Sequence, residues 1–172
     1  TKIAKKNLIQ SRDIDTKSNV FATKITPGCP VKIELTDANS KEIVENLEVD
    51  GVLVATGRSP NSKRLNLESV GIETEKGYIP IDDQMRVING EKIIPNVWAV
   101  GDVTGKLMLA HTAAAQGTIA VDNICGKNIE INYRSIPAAT FTHPEISSVG
   151  LSEVDAKEIA IKESFTLGVV KS

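Results

Sequence analysis

The sequence predicts an α/β protein, and three observations carry that reading. Val97–Val100 is a short apolar run rich in β-branching that stops at Gly101-Asp102. It is too short for a helix and suits a buried strand. Directly after it, Leu109, Ala113, Gly117, Ala120 and Ile124 recur at spacings of three and four, the period of a helix that packs one apolar, small-residue face. Ahead of both, Asn19–Ile25, Val31–Thr36 and Leu47–Ala55 read as three strands joined by Pro27-Gly28 and the polar stretch Asp37–Lys41, the pattern of a meander.

The remaining elements follow in chain order. Residues 1 to about 8 read as the tail of a helix. In Val31-Lys32-Ile33-Glu34-Leu35-Thr36 apolar and polar residues alternate, so one face of that strand is buried and the other wet. Gly51–Ala55 continues the third strand into a more buried stretch. Asn66–Val70 is a helical turn, and Tyr78–Ile81 and Met85–Ile88 are short strands. Val97–Val100 is the central strand and Leu109–Cys125 the long helix. Ala139–Phe141 and Ser147–Val149 are strands, and Ser152–Ala160 is a helix with Ser152 as its N-cap. Phe165–Val170 closes the chain as a strand without a partner.

Composition narrows the function. The 172 residues carry 20 basic and 22 acidic side chains, a net charge of −2, which gives no argument for nucleic acid or an anionic membrane as partner. Three Phe, two Tyr and one Trp are too few for a base-stacking platform. No apolar run reaches the roughly 20 residues of a membrane helix. The two cysteines, Cys29 and Cys125, form no disulfide framework, so a reducing compartment is expected. With only two histidines, no metal-ligand spacing exists. Thr1 opens the sequence, and nothing about targeting is legible there.

The chemistry concentrates at Gly101-Asp102. A glycine lets backbone approach a ligand closely, and a carboxylate accepts hydrogen bonds from hydroxyls. The helix that follows presents unpaired N–H groups and a positive dipole end. Strand, Gly-Asp, loop and helix start is how an open α/β sheet holds a nucleotide-like cofactor at the carboxyl edge of its strands. Read alone, Asp102 is equally a turn aspartate capping local N–H groups.

Three motifs in order resemble one family. Val97–Asp102 with Met108-Leu109-Ala110-His111 is similar to the second flavin-contact motif of the two-dinucleotide-binding-domain disulfide oxidoreductases. Val52–Asn61 is similar to the segment that closes their nicotinamide-nucleotide domain, with the backbone at Gly57 beside the nucleotide. Ala138–Glu145 and Val149-Gly150-Leu151 resemble the start of their dimer-interface domain. The resemblance covers roughly residues 1 to 160. It implies a partial two-dinucleotide-binding-domain flavoprotein fold: residues 1–58 end the NAD-binding domain and include the meander, 59–134 form the second segment of the FAD-binding domain, and 135–172 begin the α+β interface domain.

The resemblance also implies FAD and NAD as cofactors, a homodimer, and Gly57, Gly101, Asp102, Met108, Leu109, Ala110 and His111 as cofactor contacts. Asp102 would accept from a ribityl hydroxyl, and the main chain of residues 108–111 would face the flavin pyrimidine. Met-Leu-Ala-His at 108–111 sits nearer to the branch that oxidises dihydrolipoamide, served by lipoyl domains of 2-oxoacid dehydrogenase complexes, than to the glutathione-reducing branch, where a Thr-Pro pair is expected at Ala110 and His111. The general run is nearest to the plastid and cyanobacterial form, which suggests a plastid stroma or another organelle matrix. A glutathione or mercuric reductase, or a non-catalytic nucleotide-binding module of the same fold, is the alternative.

Several family parts are missing. The twelve glycines never fall into Gly-x-Gly-x-x-Gly, and the two cysteines are too far apart to be the redox pair. His143-Pro144-Glu145 imitates the family's base motif but lies, in family order, at the start of the interface domain. The chain therefore reads as an internal fragment, catalytically inactive alone, with no catalytic residue of its own.

Overall fold

The computed structural model describes residues 5–10 and 12–168. The chain divides into two compact units, Thr1–Gly57 with Thr142–Pro144, and Arg58–Phe141 with Glu145–Ser172.

The first unit is built on an antiparallel meander of β1 (Val20–Thr26), β2 (Val31–Asp37) and β3 (Ile43–Val49), in that spatial order. Glycine and proline at residues 27–30 turn the first hairpin. The second turns at Asp37, whose carboxylate accepts from the N–H groups of Asn39 and Ser40 at 2.8 Å each. These bonds hold the Asp37 carboxyl below its ordinary pKa. Only Leu35 and Thr36 of the central strand are buried. A π-helical stretch, Lys6–Gln10, precedes the sheet.

The third strand differs from the expected Leu47–Ala55. Pairing runs from Ile43 to Val49, with Leu47 opposite Ile33 and Val49 opposite Val31, and Gly51–Ala55 forms no strand. Leu53 is 91% exposed. An apolar run becomes a buried strand only where neighbours complete its ladder and cover its faces, and no described residue of the chain pairs with this one.

The second unit holds the larger core. Ile72, Ile79, Ile81, Met85, Val87, Ala99, Ala120 and Ile131 form one buried cluster. The strands β4 (Arg86–Asn89) and β5 (Lys92–Trp98) pair as a hairpin. Asp82 shapes the approach to it, accepting from the N–H groups of Gln84 and Arg86 and pairing with the Arg86 guanidinium at 2.6 Å. The expected central strand Val97–Val100 is instead the end of one strand of the antiparallel hairpin: Trp98 pairs with Arg86, the strand ends there, and Val100 is exposed. The expected strand Tyr78–Ile81 is reduced to isolated bridges at Tyr78 and Ile81, since Ile79 donates instead to the carbonyl of Val103.

Helix α1 spans Ala110–Ile124, within a residue of expectation. The 3-10 turn Leu67–Val70 answers to Asn66–Val70. The strands β6 (Ala138–Thr140) and β7 (Ile146–Ser148) pair antiparallel, and α2 (Glu153–Lys162) starts at Ser152. There Ser152 Oγ accepts from the N–H of Asp155, and the Asp155 carboxylate accepts back from Ser152, a capping box. Phe165–Gly168 forms no strand, having no ladder partner among the described residues, and residues 169 and 170 lie outside the description. Among the described residues no helix is long and apolar enough to cross a membrane.

Candidate functional site

Gly101 sets the geometry. It stands at φ 81° and ψ −162°, a region that residues with a Cβ almost never occupy. Space is not the reason for glycine here, since an added Cβ would meet only the Ala113 Cβ, at 3.6 Å. The 3-10 turn Asp102–Thr104 follows, closed by the Thr104 N–H and Oγ1–H, both donating to the Gly101 carbonyl at 3.0 and 2.8 Å. Thr104 is buried and Asp102 exposed. Among the described residues no group donates to the Asp102 carboxylate, so its acceptor oxygens are free for a ligand.

Beyond the turn, Gly105 takes a left-handed φ of 71° beneath the Tyr78 ring, where an added Cβ would lie 3.0 Å from Cδ1. The Tyr78 hydroxyl donates to the Arg58 carbonyl at 3.3 Å. Arg58, Tyr78, Asp102, Val103 and Met108 thereby line one cleft of about 230 Å³. A larger groove, about 710 Å³, is lined by Lys106, Tyr133, Arg134 and Lys162 among others. It holds Gly150 and Leu151 of the third motif but none of the expected cofactor contacts, two of which, Asp102 and Met108, line the smaller cleft.

Helix α1 starts bare. Its N-cap is Leu109, extended at φ −132° and ψ 145°, with no side-chain cap and no acidic residue in the first turn. Leucine is among the poorest N-caps, so the first-turn N–H groups of Ala110, His111 and Thr112 keep their donors and the positive end of the dipole uncompensated by any side chain. Met108 and His111 are exposed beside it. His111 Nε2 lies 2.6 Å from the Pro137 carbonyl. A carbonyl only accepts, so this nitrogen carries a proton and ties down a loop.

The buried stripe of α1 is Thr112, Gln116 and Ala120, displaced from the expected line through Ile124, which is 57% exposed. Gln116, fully buried, was invisible as a functional residue. Its Oε1 accepts from the Gly101 N–H at 2.6 Å, and its Nε2 donates to the Tyr133 hydroxyl at 2.9 Å. Burial raises the pKa of Tyr133, opposed by the Gln116 hydrogen bond. The one sequence cue was a polar residue in the middle of an alanine-rich helix face. Gly57, with φ 118° and open space around it, belongs to the first unit, whereas Gly101, Asp102 and residues 108–111 all belong to the second.

A strand leads through a Gly-Asp turn that only glycine adopts readily into an uncapped helix, and comparison gives the class of this α/β segment. The profile of the pyridine nucleotide-disulphide oxidoreductases matches residues 1–117, and the chain belongs to that family. A dihydrolipoyl dehydrogenase of Synechocystis is 59% identical over 172 residues, covering 99% of this chain and 36% of its own length. The chloroplastic dihydrolipoyl dehydrogenase 2 of Arabidopsis thaliana is 50% identical over 176 residues, covering 100% of this chain and 31% of its own. The crystal structure of LpdA from Mycobacterium tuberculosis superposes with a TM-score of 0.71 at 30% identity, over 90% of this chain and 31% of LpdA. The chain spans about a third of the length of the relatives it matches.

Proposed function

We propose that this chain supplies the second flavin-contact segment of a dihydrolipoamide dehydrogenase that uses FAD and NAD⁺. The observation that carries the reading is the pairing, in one unit, of an unpartnered Asp102 carboxylate on a glycine-only turn with the uncapped start of α1. The residues fit the group: a free acceptor for a ribityl hydroxyl, and donors for the flavin pyrimidine. Bound FAD supplies two-electron transfer between a dithiol and the nicotinamide.

The chain's own part is to bind and orient. Asp102 accepts the hydroxyl hydrogen bond. The main-chain N–H groups at Ala110 and His111, with the leading dipole end, favour negative charge on the ring they face. Met108 and Leu109 flank that start, and Gly57 offers open backbone to the nicotinamide nucleotide. Residues 1–58, 59–134 and 135–172 fall, in this reading, to the NAD, FAD and interface domains, and the division of compact units at Gly57 and Arg58 supports the first boundary. The likeness to a chloroplastic enzyme supports a plastid stroma. A homodimer working on lipoyl domains of 2-oxoacid dehydrogenase complexes completes the proposal.

Asp102 tests it in the full-length protein. Asp102→Ala removes the acceptor and leaves a cofactor hydroxyl unpaired, a loss of about 1–3 kcal/mol, so FAD retention and activity fall together. Asp102→Asn keeps an acceptor oxygen and retains more FAD. Equal flavin content in the wild type and Asp102→Ala after gel filtration refutes the assignment.

A further inference from the structure

We infer that Gln116 is a positioning residue for the cofactor, holding the Gly101-Asp102 turn from behind through a hydrogen-bonded chain that ends at Tyr133. The inference rests on the flavin reading of that turn.

The orientation of the amide is dictated by its partners. The Gly101 N–H can only donate, so the atom facing it at 2.6 Å is Oε1. Nε2 is then left to face the Tyr133 hydroxyl at 2.9 Å, which accepts from it. The side chain is fully buried, where an amide kept for solubility would have no purpose and an unpaired one is costly. Without the bond, the Gly101 N–H loses its side-chain acceptor, and the peptide is held only from its carbonyl side, by the Thr104 N–H and hydroxyl. Asp102 is the next residue, so any rotation of the Gly101 peptide moves the carboxylate. Tyr133 anchors the far end from a separate 3-10 turn, Tyr133–Ser135, whose Asn132 side chain accepts from the Arg134 N–H at 3.1 Å. The turn that presents Asp102 is therefore set by the middle of α1, while the start of the same helix remains free for the ligand.

The test compares Gln116→Met, Gln116→Glu and Tyr133→Phe in the full-length protein. It measures the FAD dissociation constant, the visible circular dichroism of the bound flavin at saturating FAD, and the urea midpoint of the apoprotein. Gln116→Met keeps the volume and loses the acceptor, and is expected to weaken FAD about tenfold and to change the flavin dichroism even at saturation. Gln116→Glu restores the acceptor, and Tyr133 can turn its own proton toward the second oxygen. It is expected to recover the native spectrum and an affinity close to wild type. Tyr133→Phe is expected to lose a few-fold in affinity, and it carries the test if Gln116→Met does not fold. A lowered urea midpoint with native dichroism and affinity in both Gln116→Met and Tyr133→Phe would overturn the positioning role and leave a purely structural one. A wild-type protein that binds no FAD would instead overturn the flavin reading itself.

Discussion

Gly101 separates conformational cost from crowding, because its missing Cβ would find ordinary contact distance at Ala113. Gly101→Ala is expected to cost on the order of 1–3 kcal/mol in urea unfolding, all of it from the backbone. A neutral result would mean that the turn relaxes readily and so cannot hold Asp102. Ala110→Pro probes the helix start. Proline is tolerated in the first helical turn but removes one N–H. Where several donors share charge on a reduced flavin, losing one should lower its midpoint potential by the equivalent of about 1 kcal/mol or less. An unmoved potential would exclude that N–H from the contact. At this scale, the turn at Gly101 and the helix start were legible because a glycine closes an apolar run just ahead of an alanine-rich helical period. Gln116 was not: its role exists only opposite the Gly101 N–H, a partner fifteen residues away in sequence.

Among the elements, legibility followed local chemistry. Helix α1 was bounded to within a residue because its period is long, and the start of α2 was marked by Ser152 as N-cap, while its end runs two residues past the expected Ala160. The strands were harder. The third strand was expected over Leu47–Ala55, where the apolar run Val52-Leu53-Val54-Ala55 lies, yet the ladder runs over Ile43–Val49. Cross-strand register with Val31–Thr36 outweighed hydrophobicity, and the stronger run found no partner. The box at α2 is itself testable. Hydrogen bonds from the Ser152 hydroxyl and N–H hold the Asp155 carboxyl below its ordinary 3.8. A depressed folded-state pKa means the stabilising contribution is complete above the unfolded value and is lost as pH falls through the folded one. Hydrogen exchange in the first turn of α2 should therefore rise, after correction for intrinsic rates, as pH drops below 3.8. Ser152→Ala should cost roughly 1 kcal/mol at neutral pH and flatten that acid response. Protection that is independent of pH in the wild type would show that the box contributes nothing.

For the whole molecule, the decisive quantity is apolar surface left open. In the second unit Phe141 is 84% exposed and Ile161 81%, with Val149 and Val154 also exposed. The strands β6 and β7 are three residues each and, among the described residues, pair only with each other. Two strands are too few for a stable sheet in water, and their outer edges present unpaired N–H and C=O groups to any chain that approaches. Burying one such side chain is worth about 1.5–3 kcal/mol, so two or three together can overcome the cost of association at modest concentration. The 172-residue chain alone is therefore expected to self-associate, with a light-scattering mass that grows with concentration. Phe141→Ser combined with Val149→Thr should reduce it, while Val44→Thr, in the first unit, should reduce it less. The same chain should produce no NADH from dihydrolipoamide at any concentration, since it contains neither the paired cysteines nor the glycine loops that the reaction requires. A stable monomer in the millimolar range (~10⁻³ M, where even weak contacts populate) would mean that these side chains fold onto the unit itself and that Phe141–Leu151 is no interface.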